Sequence, residues 1–114
     1  MKKRIKNSKG QDILIELRGY FLSKDNEFQL KKLSSFIEKK RVPEIAIFKG
    51  APLGYNRHKF NFLSIGKEYQ VVKVFISTYH DGGGKFIIID DNGKKRGYTL
   101  GDRYDLWDLI YIKN

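Results

Sequence analysis

Apolar residues recur with a period of two over much of this chain and with a period near three and a half over one stretch, and the alternation between those periods lays out the elements. The clearest run is from Ser64 to Ile112, which reads as a meander of short strands around one small core. Val72, Val74 and Ile76 share one face of a strand ending near Ser77, with Val71, Lys73 and Phe75 on the other. Asp81-Gly82-Gly83-Gly84 turns it back, and Lys85 to Asp90 returns with Phe86 and Ile88 alternating with Ile87 and Ile89. Asp91-Asn92-Gly93 predicts a two-residue primed hairpin turn, because Asn and Gly tolerate the positive φ such a turn needs. Arg96 to Leu100 follows as a strand. Asp102 to Asp108 has the look of one helical turn, with Trp107 plugging the end of the core, and Leu109 to Lys113 closes the meander.

Upstream of Ser64 the pattern is mixed. Residues 1–10 offer only Ile5 for burial and predict a frayed basic arm. Gln11 to Leu22 predicts a strand, since Ile13, Ile15 and Leu17 alternate with Leu14, Glu16 and Arg18. The period then changes. Asn26 with Gln29 has capping-box spacing, and Leu30, Leu33, Phe36 and Ile37 form a helical stripe, with Lys31, Lys32, Lys39, Lys40 and Arg41 left in water. Pro43 ends that helix by biasing Val42 away from helical geometry. Glu44 to Phe48 predicts a short strand, and Gly50, Pro52 and Gly54 begin a long loop. Apolar residues on both faces of the later strands predict that the N-terminal lobe covers the face turned away from the core. The expectation is an α+β, mostly β protein: a basic lobe over residues 1–63 containing one helix, joined to a small barrel over residues 64–114 as one cooperative unit.

Charge sharpens this division. The 114-residue chain has a net charge of +10; residues 1–62 hold 15 Lys/Arg against 6 Asp/Glu and residues 63–114 hold 8 against 7, so +9 of it precedes the meander. Such a field favours an anionic partner, either nucleic acid or an acidic protein surface. Lysines also serve plain solubility, and those at the helix end complement the helix dipole, so charge alone does not choose. The absence of cysteine excludes a disulfide framework, thiol catalysis and cysteine-based zinc sites. Met1-Lys2-Lys3-Arg4 is followed by polar residues instead of a signal-peptide core, and no apolar run approaches the ~20 residues that cross a bilayer. The reading is a soluble cytoplasmic protein without a membrane contact; its oligomeric state is not legible.

The run Ile65-Gly66-Lys67-Glu68-Tyr69-Gln70-Val71, then Phe86-Ile87-Ile88-Ile89-Asp90-Asp91-Asn92-Gly93-Lys94, then Tyr98 to Leu100 before a one-turn segment and a last strand, resembles SH3-like barrels of small bacterial and phage proteins. It covers less than half the chain. The resemblance implies a small-barrel fold and leaves function open, since such barrels bind peptides, DNA, RNA and ribosomes. The Lys-, Ile- and Asn-rich composition also resembles phage accessory proteins, which implies a protein that binds and inhibits or adapts a host target.

The strongest chemical signal is the loop from Gly54 to Phe62, where Tyr55, His58, Phe60 and Phe62 interleave with Arg57 and Lys59. Aromatic faces stack on bases while neighbouring cations meet phosphates; the plain alternative is a loop pinned to the core by its own rings. The candidate contact set for nucleic acid or a protein partner is therefore Lys31, Lys32, Lys39, Lys40, Arg41, Tyr55, Arg57, His58 and Lys59. Catalysis has weaker support. His58 and His80 lack the close spacing of a metal pair, and of the aspartates that could hold a magnesium ion, Asp90 and Asp91 or Asp102, Asp105 and Asp108, Asp91 more simply builds the hairpin turn and Asp102 caps a helical turn. A small basic ribonuclease using Arg57, His58 or Lys59 meets its acid-base requirement by residue type alone. The expectation is a binding protein, most simply of nucleic acid, without catalytic residues, metal or cofactor.

Overall fold

A computed structural model describes residues 2–18, 42–51, 60–77, 84–100 and 106–112, together with Lys31 and Ser34. Seven strands form one mixed sheet: β1 (Lys2–Lys6), β2 (Asp12–Arg18), β3 (Pro43–Phe48), β4 (Glu68–Ser77), β5 (Gly84–Ile89), β6 (Lys95–Thr99) and β7 (Trp107–Tyr111). Along the sheet the order is β1-β2-β4-β3-β7, with β5 pairing β4 and β6 pairing β5. The sheet is not closed into a barrel; β1, β6 and β7 each pair with one described strand.

The expected α+β class is therefore corrected. The described chain is nearly all β and contains no helical element. Of the stretch expected to be helical, Lys31 and Ser34 have helical backbone and the rest, up to Arg41, lies outside the described residues. Asp102 to Asp105 of the expected C-terminal helical turn also lie outside, while Trp107 and Asp108 are already in β7, which starts two residues before the strand expected from Leu109.

The strand β4 holds the sheet together. Its first three residues pair antiparallel with β3, Glu68 opposite Ile47 and Gln70 opposite Ile45. From Lys73 to Ser77 it pairs in parallel with β2, and from Val71 to Ile76 antiparallel with β5. The change of neighbour coincides with a bulge. Val71 faces Ile88 and Lys73 faces Ile87, so Val72 is an extra residue without a partner on β5. An extra residue shifts the inward and outward phase by one. Tyr69 and Val71 point into the core before the bulge, and Val74 and Ile76 after it. Strict alternation put Val72 on the face of Val74 and Val71 on the other; the bulge moves Val71 to the core face with Val74 and leaves Val72 half-buried.

One core results, built from both parts of the chain. Ile13, Ile15 and Leu17 of β2 join Ala46 and Phe48 of β3, the four inward residues of β4, and Phe86, Ile88 and Tyr98. Each such side chain contributes about 1.5–3 kcal/mol on leaving water. Trp107 lies in the middle of a ring of aromatics, 4.9 Å from Tyr98, 5.2 Å from Phe48 and 5.4 Å from Phe86 by ring centroids. It opens the last strand within the core, and does not cap a barrel from a turn.

The N-terminal arm is a strand, contrary to the expectation of fraying. Lys2 to Lys6 run antiparallel to β2, with Ile5 opposite Ile13. The turn that sets this up occurs twice among the described residues. In one copy the Asn7 amide donates to the Gln11 carbonyl, the Gly10 amide donates to the Asn7 carbonyl, and Asn7 Oδ1 accepts from the Lys9 and Gln11 amides. In the other, the Asp90 amide donates to the Lys94 carbonyl, the Gly93 amide donates to the Asp90 carbonyl, and Asp90 Oδ1 accepts from the Asn92 and Lys94 amides. Gly10 has φ 79° and Gly93 φ 78°, the left-handed value that closes a three-residue hairpin connection. The hairpin expected at residues 91–93 is in place, one residue longer than the expected two-residue form.

Candidate nucleic-acid interface

In an antiparallel or parallel ladder, residues opposite one another project from the same face, so the registers assign the outward side chains of β1, β2, β4, β5 and β6. Two rungs cross all five strands on the face turned away from the core. One runs Lys2, Glu16, Phe75, Lys85, Thr99, and the next runs Arg4, Leu14, Lys73, Ile87, Gly97. Lys6 opposite Asp12 and Lys95 opposite Ile89 extend the face beyond them. With strands about 4.8 Å apart, each rung is about 19 Å long.

Among the side chains the structure describes, this face carries six cations, Lys2, Arg4, Lys6, Lys73, Lys85 and Lys95, against the two acids Asp12 and Glu16. Both acids are spoken for within it. Lys6 Nζ lies 2.9 Å from Asp12 Oδ1 and Lys73 Nζ lies 3.1 Å from Glu16 Oε2. The hydrogen bond from Lys6, with its charge and that of Arg4, holds the Asp12 carboxyl below the usual carboxylate range. Lys2, Lys85 and Lys95 form no ion pair with a described residue. Apolar side chains occupy the middle. Leu14, Phe75 and Ile87 are half-buried, Ile89 is 44% exposed, and Lys73 Nζ sits 4.5 Å from the centre of the Phe75 ring. The N-terminal lobe was expected to cover the face turned away from the core; of that lobe, β1, β2 and β3 lie in the sheet itself, and residues 19–41, apart from Lys31 and Ser34, lie outside the described residues.

Of the side chains singled out from the sequence, Lys31 is exposed, and Lys32, Lys39, Lys40, Arg41, Tyr55, Arg57, His58 and Lys59 lie outside the described residues, as does His80. The end of the aromatic loop is described, and there Phe60 belongs to the core's edge, stacked 5.4 Å from Phe48 and 5.7 Å from Tyr98. Phe62 is 40% exposed beneath the Arg96 guanidinium. Lys73, Lys85 and Lys95 escaped sequence reading because each looks like the polar member of an ordinary strand, and Lys2, Arg4 and Lys6 because the arm was expected to fray. Only the register brings Lys2 and Arg4 beside Lys73 and Lys85.

Two further polar clusters hold the fold. Asp90, with a buried carboxylate, accepts from the Asn92 and Lys94 amides and from Arg96 Nε at 2.7 Å. Burial pushes its carboxyl up, but these donors outweigh burial and it ends below the usual range. Asp91 accepts from Lys67 Nζ, from Ser64 Oγ at 2.7 Å and from the Tyr69 hydroxyl at 3.0 Å, which pins the segment before β4 to the β5–β6 turn. The Lys67 and Ser64 hydrogen bonds hold the Asp91 carboxyl below its ordinary value, and the hydrogen bond with Asp91 raises Lys67. Asp91, expected to build the hairpin turn, stands in it, and Asp102, expected to cap a helical turn, lies outside the described residues. Among the described residues no group of three metal-ligating side chains converges, and no helix is long and apolar enough to cross a membrane.

No protein-family model, curated protein or solved structure matches the chain, so no relative bears on its resemblance to SH3-like barrels.

Proposed function

We propose that this chain is a non-enzymatic nucleic-acid-binding protein of the cytoplasm that meets phosphates with the outer face of its five-strand layer. The observation that carries this reading is the position of Lys85. Lysines on the outermost strands β1 and β6 have a structural use, since charge on an edge discourages strand addition by other chains. That use does not extend to β5, an inner strand, where Lys85 stands exposed beside Phe75 without an ion pair to a described residue. A cation repeated across inner and outer strands of one face is an electrostatic footprint for a linear polyanion.

Binding of labelled DNA and RNA oligonucleotides, measured by anisotropy across a salt series, tests this. The logarithm of affinity falls linearly with the logarithm of salt concentration, and Lys85→Glu combined with Lys95→Glu lowers the slope by about 1.5, near the value for two lost phosphate contacts. Absence of binding to every oligonucleotide at low salt rejects the reading and leaves an acidic protein surface as the partner these cations fit.

A further inference from the structure

We infer that the chain forms a two-fold dimer by pairing β7 with β7 of a second copy; this stands apart from what the basic face binds. Three strands pair with one described strand each, and two of them are guarded. β1 carries Lys2, Lys3, Arg4 and Lys6, and β6 carries Lys95 and Arg96, charges that discourage the addition of a further strand. β7 reads Trp-Asp-Leu-Ile-Tyr, with Asp108 its single charge, and Ile110 and Tyr111 are 37% and 43% exposed.

The hydrogen-bond phase of β7 follows from its two ends. The Lys49 amide donates to the Leu106 carbonyl and the Ile112 amide donates to the Val42 carbonyl, so Leu106 and Ile112 turn these backbone groups towards β3. Every second residue of an antiparallel strand does the same, which adds Asp108 and Ile110, opposite Ile47 and Ile45. Trp107, Leu109 and Tyr111 turn theirs the other way, where no described residue pairs with them. Such a row of open amides and carbonyls is a template for another strand.

Charge and register select a second copy as the occupant. At a net charge of +10 two copies repel, and of these three strands β7 alone brings no cation to the contact. Antiparallel self-pairing about Leu109 matches all five residues, with Leu109 opposite its own copy, Trp107 opposite Tyr111 and Asp108 opposite Ile110. A slip that centred the axis on Asp108 would set two carboxylates face to face. The same patch serves both copies, so the assembly closes at two. Five residues a side make a small contact, and the dimer is accordingly a weak one.

Backbone amide hydrogen exchange on the full-length chain, from about 10 μM to about 1 mM, reads the pairing residue by residue over the span of weak association. The amides of Asp108 and Ile110 belong to the β3 ladder and should be protected at every concentration. Those of Leu109 and Tyr111 should exchange fast in dilute protein and slow as concentration rises, in step with a monomer–dimer equilibrium followed by sedimentation. Ile110→Lys gives β7 the guard that β1 and β6 carry, and should keep the chain monomeric with melting nearly unchanged. Leu109→Pro removes an amide that β3 does not use and should also abolish the dimer. Should the proline variant fail to fold, the exchange pattern of the parent and Ile110→Lys still decide. A monomer at every concentration overturns the inference and leaves the edge to an extended segment of another protein. A dimer that survives Ile110→Lys, or that forms while the Leu109 and Tyr111 amides stay unprotected, overturns it in favour of another face.

Discussion

Two glycines show how differently one residue type is used. Gly93 occupies a left-handed position with open space around its Cα, so Gly93→Ala meets a backbone penalty of about 1–2 kcal/mol and nothing else. Gly84 sits where β5 pairs with the end of β4, and a Cβ there would lie 2.0 Å from the Phe75 carbonyl oxygen, a backbone atom that moves only with its strand. Gly84→Ala should therefore lower the melting temperature well beyond Gly93→Ala, and equal losses would place the β4–β5 approach elsewhere. Asp90 provides the pH test. Its carboxyl lies below the ordinary range in the folded state, as does that of Asp91, so the unfolded chain takes up protons first on acidification. Their contribution is present above the unfolded carboxylate pKa of about 3.9 and is lost as pH falls through the lower folded values. Asp90→Asn keeps an oxygen for the Asn92 and Lys94 amides but sets an amide against Arg96. Melting followed from pH 7 to pH 3 should give a variant that is less stable at neutral pH and flatter on the acid side than the parent; an unchanged acid limb would assign that limb to other carboxylates.

At the level of the element, the bulge in β4 and the hairpin that makes β1 are where sequence and structure part company, and both for the same reason. Strands β2, β3, β5 and β6 were legible because alternation and turn residues agree in each. Residues 71–76 read Val-Val-Lys-Val-Phe-Ile, an apolar run that fits the core in either phase, so nothing local says that the phase changes at Val72. The arm has one apolar residue and no periodicity, and its strand conformation comes from pairing with β2. A signal was present even so. Asn7 and Gly10 have the same spacing as Asp90 and Gly93, and the second turn residue is tethered in both copies: Ser8 donates to Glu44 through its amide at 2.8 Å and its hydroxyl at 2.7 Å, as Asp91 accepts from Ser64, Lys67 and Tyr69. Ser8→Ala removes the hydroxyl donor from a buried carboxylate, a loss of about 1.5–3 kcal/mol read as a lower melting temperature. A neutral result would mean that the arm is not docked on β3. Deleting Val72 tests the bulge directly. It restores uninterrupted pairing with Val71, Lys73 and Val74 opposite Ile88, Ile87 and Phe86, and so leaves Tyr69, Val71, Val74 and Ile76 all facing the core; the product should keep a cooperative melting transition, and its loss would show that the bend of the bulge is itself needed. Val72→Thr, which keeps the residue and its strand preference, should melt close to the parent.

For the whole molecule the question is whether the anionic partner is drawn by net charge or by where that charge sits. The split of +9 before residue 63 and +1 after it suggested a basic lobe beside a neutral barrel. Folding does not keep that division, because β2 lies in parallel against β4 and β1 continues the same layer, which places Lys2, Arg4 and Lys6 on one face with Lys73, Lys85 and Lys95. Two pairs of lysines allow a charge-matched comparison. Lys39→Glu with Lys40→Glu, in the stretch expected to be helical, and Lys85→Glu with Lys95→Glu, on the sheet face, both take the net charge from +10 to +6. A partner attracted only by the overall field loses the same affinity to either pair, since each changes the net charge by the same amount. A partner lying on the sheet loses direct phosphate contacts to the second pair alone. The expected outcome is a reduction of about 1.5 in the salt slope for the sheet pair and little change in slope for the lobe pair, with both proteins melting cooperatively. The reverse result would move the binding surface to the lobe, and equal slopes would make the face of the sheet a bystander to a field spread over the whole protein.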